Sequence, residues 1–244
     1  MNLQMDNVIK NTVAVILAGG RGKRMGSDVP KQYISVCGKP LLYYTLKAFE
    51  ESFIERIVLV CGEGDESFCK SEIVDRYGFN KVSDIAVGGK ERYHSVWSGL
   101  KCIGNDVPDG CIVFIQDGAR PFTDTDTMRR CYEDAVKYGS GVAAVPSKDT
   151  VKIADKDGFA VSTPARDTVY MVQTPQTFEF KEIYDAYEKL MQSEGELKKA
   201  GVIITDDAMV MEHFTNKRVK LTPGDYRNIK ITTPEDLKIM NCIF

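Results

Sequence analysis

Residues 13–26 read VAVILAGGRGKRMG, and this stretch decides the fold. Its first five residues form a short, unbroken apolar run rich in β-branched side chains, which is typical of a strand buried on both faces. The glycines that follow allow the backbone to approach a ligand closely, and Arg21, Lys23 and Arg24 lie in the same loop. A strand end that presents backbone N–H groups and cations is suited to binding a polyphosphate.

The loop matches neither of the two common phosphate-binding signatures. A P-loop requires Ser or Thr directly after its Lys, whereas Arg24 follows Lys23 here. A dinucleotide fingerprint requires a third glycine where Met25 stands, and Gly26 comes one residue late. From this loop alone, a strand-to-helix turn with solvated basic side chains is an equal alternative.

Length, charge and cysteine content narrow the function classes. A chain of 244 residues predicts one domain, residues 1–244, that can bury a core without disulfides or metals. Its net charge of −3 provides no global attraction for nucleic acid. Seven cysteines, an odd number without a Cys-x-x-Cys pair, indicate free thiols in a reducing compartment. With no apolar leader or membrane-length segment, we expect a cytoplasmic protein with neither nucleic-acid nor membrane partners.

Strand-like and helical patterns alternate along the chain. Short branched runs occur at residues 57–61, 85–87, 111–115 and 142–145, and helical spacing of apolar residues occurs at 41–51, 66–77, 91–102 and 126–138. This alternation predicts an α/β fold with a Rossmann-like, mostly parallel sheet and helices on both faces. A ligand should then lie outside the carboxyl ends of the strands, where the glycine loop begins.

One segment breaks the alternation and predicts a protruding β-hairpin arm at about residues 147–167. Residues 151–154 and 159–163 read as two strands, and Asp155-Lys156-Asp157-Gly158 reads as the turn between them. A two-stranded ribbon alone is marginally stable in water. We therefore expect the arm to pack on its own domain or on a second subunit.

Polar side chains follow a predicted strand at Asp117 and Arg120. An Asp in this position most often caps a turn. Beside a polyphosphate it could instead hold Mg²⁺, which favours one or two carboxylates together with phosphate oxygens and water. The planar guanidinium of Arg120 suits a second phosphate. Because both residues cluster at one strand end, the sequence favours the functional reading.

Eight sequence blocks support a resemblance that spans about residues 13–243. The blocks are LAGGRGKRMG, PKQY, GGKERYHSV, DGARPF, KDTVK, QTPQTF, TDDA and NIKITTPEDL. Their order and spacing resemble those of the 2-C-methyl-D-erythritol 4-phosphate cytidylyltransferase family. The resemblance implies transfer of CMP from CTP to that polyol phosphate, with release of pyrophosphate, in isoprenoid precursor synthesis. Ribitol-5-phosphate cytidylyltransferases share several blocks and are the alternative; a non-catalytic nucleotide-binding module is an alternative from another class.

The resemblance implies a set of residues for the nucleotide and for the transfer step. Lys90 departs from the acidic residue that many relatives carry there. CTP recognition changes little if this position contacts the base only through its backbone, and it changes if the contact is made by the side chain. The implied nucleotide-binding residues are Ala18, Gly19, Gly20, Gly22, Gly89, Lys90, Ser95 and Asp117. The implied catalytic residues are Arg24, Lys31, Arg166 and Lys230.

The resemblance also implies an acceptor site, a metal and a partner chain. Asp117 would hold Mg²⁺, the divalent cofactor, and the arm would reach across a homodimer so that Thr150 and Arg166 act in the partner's site. The implied acceptor-binding residues are Asp117, Arg120, Thr150, Arg166, Thr174 and Lys230. An acceptor phosphate is already an anion near neutral pH and needs no general base, so positioning and cationic screening should supply catalysis.

Overall fold

The computed structural model describes residue 9 and residues 11–20, 29–104 and 107–243. Within these residues the strands are β1 (Thr12–Ala18), β2 (Ser35–Val36), β3 (Lys39–Pro40), β4 (Arg56–Cys61), β5 (Val82–Val87), β6 (Ile112–Asp117), β7 (Ser140–Pro146), β8 (Ile153–Ala154), β9 (Ala160–Ser162), β10 (Tyr170–Glu179) and β11 (Leu221–Pro223). The helices are α1 (Leu41–Glu50), α2 (Glu66–Phe68), α3 (Arg92–Ile103), α4 (Thr125–Tyr138), α5 (Phe180–Lys199), α6 (Asp207–Phe214) and α7 (Pro234–Ile243). A π-helical segment, Cys69–Asp75, continues α2.

Seven strands form one twisted sheet in the order β5-β4-β1-β6-β10-β7-β11. Neighbouring strands are parallel except at β10, which runs antiparallel to both β6 and β7. The predicted mostly parallel α/β sheet is therefore confirmed. The carboxyl ends of β1, β4, β5 and β6 meet at one edge, where Ala18 pairs with Cys61, Cys61 with Val87, and Leu17 with Asp117.

The alternation of side chains along β1 explains the layers. Val13 and Val15 point into a core shared with α3, α5 and α6, whereas Ala14 and Ile16 point into a core shared with α1, α4 and the π-helical segment. A strand buried on both faces requires an unbroken apolar sequence, which is what residues 13–17 provide. This confirms helices on both faces of the sheet.

The sequence pattern predicted neither the short strand β11 nor the longer strand β10. It contains Gln173-Thr174-Pro175-Gln176, a polar run with a proline, and its pairing with β7 shifts register between Val172 and Gln176. Proline lacks the N–H that a strand ladder needs, and the run shows no alternation of apolar and polar residues, so the pattern argued against a strand here. Tertiary pairing with β6 and β7 decided the outcome.

The hairpin arm is confirmed as two short antiparallel strands, β8 and β9. Its turn is closed by Asp155, whose Oδ1 accepts hydrogen bonds from the backbone N–H groups of Asp157 and Phe159. The base of the arm is joined by a hydrogen bond from the Ser147 N–H to the Val169 carbonyl, 2.8 Å. The arm thus extends from the end of β7 and returns into β10.

Across the described ranges, no helix combines the length and the apolar character needed to cross a bilayer.

The contact between α3 and the sheet depends on the absence of a side chain at Gly99. A Cβ there would lie 2.4 Å from Val15 Cγ1 and 3.1 Å from Val60 Cγ2. Gly99→Ala should therefore lower the free energy of unfolding by about 1–3 kcal/mol, as overpacking of a core commonly does. Urea denaturation measures the change.

The matched control is Gly195→Ala in α5, where an added Cβ would have no neighbour within 4 Å. That variant should gain about 0.5–1 kcal/mol, because Ala is the better helix former. Equal stability of Gly99→Ala and the unmodified chain would contradict the close helix–sheet packing.

Candidate active site

Asp117 occupies the centre of the carboxyl edge of the sheet. It ends β6 next to β1, and its backbone N–H donates a hydrogen bond to Thr174 Oγ1 of β10 at 3.1 Å. Both residues are buried. The predicted acceptor residue Thr174 is therefore in direct contact with the predicted metal and nucleotide residue Asp117.

Three cations converge on the Asp117 carboxylate. Lys230 Nζ lies 2.7 Å from Oδ2, Arg92 Nε lies 3.3 Å from Oδ1, and Arg120 Nε lies 3.9 Å from Oδ2. Burial by itself would raise the pKa of Asp117, but the charges of Arg92, Lys230 and Arg120 outweigh it and hold that pKa well below its usual range. The carboxylate therefore stays ionised within a positively charged cluster.

Lys230 reaches Asp117 because Asn228 fixes the chain before it. The buried Asn228 side chain donates from Nδ2 to the Thr174 carbonyl at 2.8 Å, and its Oδ1 accepts from Thr123 Oγ1 at 3.0 Å. Arg120 Nη1 donates to the Asn228 carbonyl at 2.6 Å. Buried polar side chains that are fully bonded in this way specify one backbone path. This network brings the predicted residues Arg120, Thr174 and Lys230 together.

Lys31 lies at the same edge, beside the end of β1. Its Nζ donates to the Ile231 carbonyl at 3.1 Å, one residue after Lys230. The neighbouring Gln32 side chain donates from Nε2 to the Ala18 carbonyl at 2.5 Å. The PKQY block is thereby attached both to the strand end that begins the glycine loop and to the segment that carries Lys230.

The glycine loop itself is described only in part. Gly19 and Gly20 follow β1, and a Cβ at Gly19 would lie 3.2 Å from the Cys61 carbonyl oxygen, so the chains approach closely there. Gly22 and Arg24 lie outside the described residues.

Residues 88–95, the second segment predicted to bind the nucleotide, lead into α3 and include its first turn. The Gly89 N–H donates to the buried Ser95 Oγ at 3.1 Å, and a Cβ at Gly88 would come within 2.8 Å of that oxygen. Lys90 is exposed. Its neighbour Glu91 caps α3 through a reciprocal capping box with His94, which agrees with a structural role for this histidine.

Sequence reasoning missed Arg92 and Asp207. Arg92 binds the fully buried Asp207 bidentately, with Nη1–Oδ1 and Nη2–Oδ2 both 2.8 Å, while its Nε faces Asp117. Asp206, directly before, caps α6 by accepting a hydrogen bond from the Met209 N–H. Asp206 and Asp207 thus have different roles, and only the helix-capping role of Asp206 has a signal in the local sequence.

Thr150 and Arg166 lie together on the arm, where Arg166 Nη2 donates to Thr150 Oγ1 at 2.9 Å. Both are exposed. Within the described part of the chain, no hydrogen bond or ion pair joins them to Asp117, Arg120 or Lys230. The structure therefore groups the predicted acceptor residues into a sheet-edge set and an arm set.

Asp117 is the carboxylate that all three cations of the cluster face, whereas Asp207 pairs with Arg92. Among the described residues, no group of three or more His, Cys, Asp or Glu side chains is arranged to hold a metal ion. The donor set fits Mg²⁺ only where phosphate oxygens and water supply its other ligands, which is the usual arrangement for this ion.

A surface cavity of about 600 Å³ lies elsewhere, against β5, and is lined by Glu66, Lys70 and Asp84 among others. It contains none of the predicted site residues. We therefore locate the candidate site by its convergent polar side chains.

Comparisons with known proteins give one consistent result. The family model described as 2-C-methyl-D-erythritol 4-phosphate cytidylyltransferase (IspD) matches residues 12–244. The chain is 46% identical over 242 residues to the protein of that name from Clostridium kluyveri, covering 97% of each chain. It is 44% identical over 229 residues to that from Lachnoclostridium phytofermentans, covering 94% of each.

A solved structure agrees with the sequence relatives. The crystal structure of 4-diphosphocytidyl-2C-methyl-D-erythritol synthase from Anaerococcus prevotii superposes with a TM-score of 0.81 at 35% identity, covering 96% of both chains. The similarity therefore includes the fold as well as the sequence.

Removing the Lys230 charge should raise the pKa of Asp117. The pKa of Asp117 is lower in the folded than in the unfolded state, and this difference stabilises the fold at pH values above the unfolded pKa of ~3.9. The stabilisation is lost as pH falls through the folded pKa. Lys230→Met removes the nearest of the three cations, so this stabilisation should be smaller and its loss should be complete at a higher pH. A ¹³C NMR titration of the Asp117 carboxyl measures the shift. Lys217→Met, whose cation pairs with Glu182, is the control, and identical Asp117 titrations in both would contradict the Lys230 contact.

Proposed function

Since the chain belongs to the 2-C-methyl-D-erythritol 4-phosphate cytidylyltransferase family, we propose that the cations around Asp117 bind the phosphates of both its substrates. The chain is a nucleotidyltransferase that transfers CMP from CTP to 2-C-methyl-D-erythritol 4-phosphate and releases pyrophosphate. One observation carries the residue assignment. Arg92, Arg120 and Lys230 surround one buried carboxylate, and Lys31 is bonded one residue from Lys230.

The chemistry explains why such a cluster is needed. A phosphate oxygen of one anion attacks the α-phosphorus of another, and the dianion is already a nucleophile. The barrier is therefore the repulsion between the substrates and the in-line alignment of the reacting atoms. Preorganised cations reduce this repulsion and help to align the reacting atoms, because they attract each anion. They also stabilise the charge that spreads over the phosphoryl oxygens.

For the nucleotide we propose the strand-end glycines and the start of α3. Gly20 has open space where a Cβ would stand, whereas Gly19 and Gly89 pack closely against Cys61 and His94, and Ser95 fixes the Gly89 N–H. Lys90 is exposed, so its difference from the family pattern is compatible with recognition through its backbone. Ala18, Gly22 and Arg24 complete the proposed nucleotide and catalytic residues, the last two lying outside the described ranges.

For the acceptor phosphate we propose the sheet-edge set Arg120, Thr174 and Lys230. The exposed pair Thr150 and Arg166 provides a further cation and hydroxyl from the arm. Arg166, Lys31 and Lys230 are then the described members of the proposed catalytic set.

We also propose that Asp117 holds one Mg²⁺ together with phosphate oxygens of CTP. When bound, the ion would neutralise phosphate charge and orient the triphosphate. Lys230 and Arg92 contact the two carboxylate oxygens of Asp117, so Lys230 would have to turn from Asp117 towards a phosphate when the ion binds.

The arm supports a homodimer of single-domain chains. We propose one domain over residues 1–244, with a dimerisation arm at about 147–167. Around this arm large apolar side chains stay exposed, including Ile153 at 52%, Phe159 at 73%, Val161 at 62% and Met171 at 57%. A concentrated apolar patch of this kind marks an interaction surface. A second copy would cover it and would place Thr150 and Arg166 beside the partner's Asp117.

Six described cysteines are free, which supports the cytoplasm as the proposed location. The relatives reported above are named for methylerythritol phosphate, so they support that acceptor and not ribitol 5-phosphate.

Lys31→Ala should leave the fold intact and lower kcat about 10²–10³-fold, because it removes one preorganised cation. Pyrophosphate release from CTP and 2-C-methyl-D-erythritol 4-phosphate, with Mg²⁺ present, measures the rate. EDTA should stop the reaction of the unmodified chain.

Lys217→Ala is the matched control and should keep the full rate. A normal rate for Lys31→Ala would contradict the electrostatic proposal. Turnover of ribitol 5-phosphate in place of the methylerythritol substrate would change the acceptor and leave the reaction class intact.

The arm proposal predicts complementation between two inactive variants. In a mixed dimer of Arg166→Ala and Lys230→Ala chains, one site combines an intact sheet edge with an intact partner arm. Random exchange of subunits should therefore restore about a quarter of the unmodified specific activity. Activity is measured after co-refolding or co-expression of the two variants.

The control mixture, Lys31→Ala with Lys230→Ala, should recover nothing, since both changes affect the sheet edge. Failure of the Arg166 mixture to recover activity, with mixed dimers demonstrated by mass, would place the arm in its own subunit's site.

A further inference from the structure

Arg92 uses both ends of its guanidinium. Its Nη1 and Nη2 bind the two oxygens of Asp207 at 2.8 Å each, and its Nε faces Asp117 Oδ1 at 3.3 Å. A planar guanidinium that is fixed at one end has its remaining N–H directions fixed too. The orientation of Asp207 therefore sets where Arg92 meets Asp117.

Asp207 is itself tightly held. It is fully buried, and the Tyr187 hydroxyl donates to its Oδ1 at 2.5 Å. The start of α6 is attached to β10, because the Ala208 N–H donates to Gln176 Oε1 at 2.8 Å and Gln176 Nε2 donates to Asp206 Oδ2 at 3.0 Å. Strand β10 also carries Thr174, which binds the Asp117 N–H.

A purely structural ion pair does not explain this arrangement. A buried pair costs desolvation, and apolar residues of similar volume often replace one without loss of stability. Here the pair is joined to a third charged group at the edge where the reaction takes place. No hydrogen bond or ion pair described in the structure joins Asp207 or Tyr187 to Lys230 or Arg120, so their direct polar link to the cluster is Arg92.

We propose that Asp207 and Tyr187 are positioning residues that orient the Arg92 guanidinium, which in turn fixes the Asp117 carboxylate. This inference rests on the proposed role of Asp117 in the reaction. Asp117 then meets its ligand in one orientation, and Arg92 keeps its charge at the site after Lys230 turns to a phosphate. A displacement of about 1 Å at a reacting centre is enough to lower a rate by up to ~10²-fold.

The first test uses Asp207→Asn and Tyr187→Phe. The amide of Asn offers Arg92 one acceptor in place of two, so kcat should fall ~10–10²-fold, with a few-fold change in KM for CTP. Tyr187→Phe should lower kcat a few-fold in the same direction. The Arg92 Nε–H signal in ¹⁵N NMR spectra, protected by Asp117 in the unmodified chain, should shift and exchange faster with water in both variants.

The second test separates positioning from stability. The triple variant Arg92→Met, Tyr187→Phe, Asp207→Leu replaces the buried polar group with apolar side chains and should regain thermal stability relative to Asp207→Asn. Its kcat should stay as low as that of Asp207→Asn. Recovery of kcat together with stability would overturn the proposal, because it would show that the pair serves only the fold.

The control is Asp84→Asn, which breaks the Arg56–Asp84 ion pair at the opposite end of the sheet and should leave kcat and the Arg92 signal unchanged. An unmodified kcat and an unmodified Arg92 signal in Asp207→Asn would also overturn the inference. Asp117→Ala distinguishes failure of the proposed role of Asp117 from failure of the positioning proposal. If it stays active, the proposed role of Asp117 fails, while the Arg92 signal still decides the positioning claim.

Discussion

The ionised Asp117 carboxylate is the counter-charge that allows three cations to share one edge of the sheet. Lys230 at 2.7 Å and Arg92 at 3.3 Å would repel each other without it, and burial strengthens that repulsion. Its own pKa is depressed for the same reason, because the cations stabilise its charged form. The charges of the cluster are therefore interdependent, because removing any one of them changes the free energy of keeping the others buried.

The local excess of positive charge in this cluster is compatible with anion binding by an acidic chain. The net charge of −3 gives no long-range attraction, so affinity for two phosphorylated substrates has to come from a local site. Arg120 is largely buried, and its Nε has no hydrogen-bond partner among the described residues. A phosphate oxygen would supply that partner.

Sequence reasoning reached the features that have a local signal. The apolar run at residues 13–17 predicts a central strand, and Asp117 and Arg120 were found because they follow such a strand. Arg92 and Asp207 were missed because their contact joins residues 115 apart, and no local pattern requires it. The bond from Lys31 to the Ile231 carbonyl spans 200 residues. For Lys31 the family resemblance supplied what periodicity could not.

The arm is exposed, whereas the charged cluster at the sheet edge is buried. Strands β8 and β9 are short, and a ribbon of this size gains too little from its own pairing to order its backbone alone. Its exposed apolar side chains would gain stability by burial, whereas the polar pair Thr150 and Arg166 would gain by meeting an anion. Contact with a second copy, as proposed above, would satisfy both needs at once. The arm that stabilises such a dimer would then also carry a cation into the neighbouring site, which links assembly to activity through one segment.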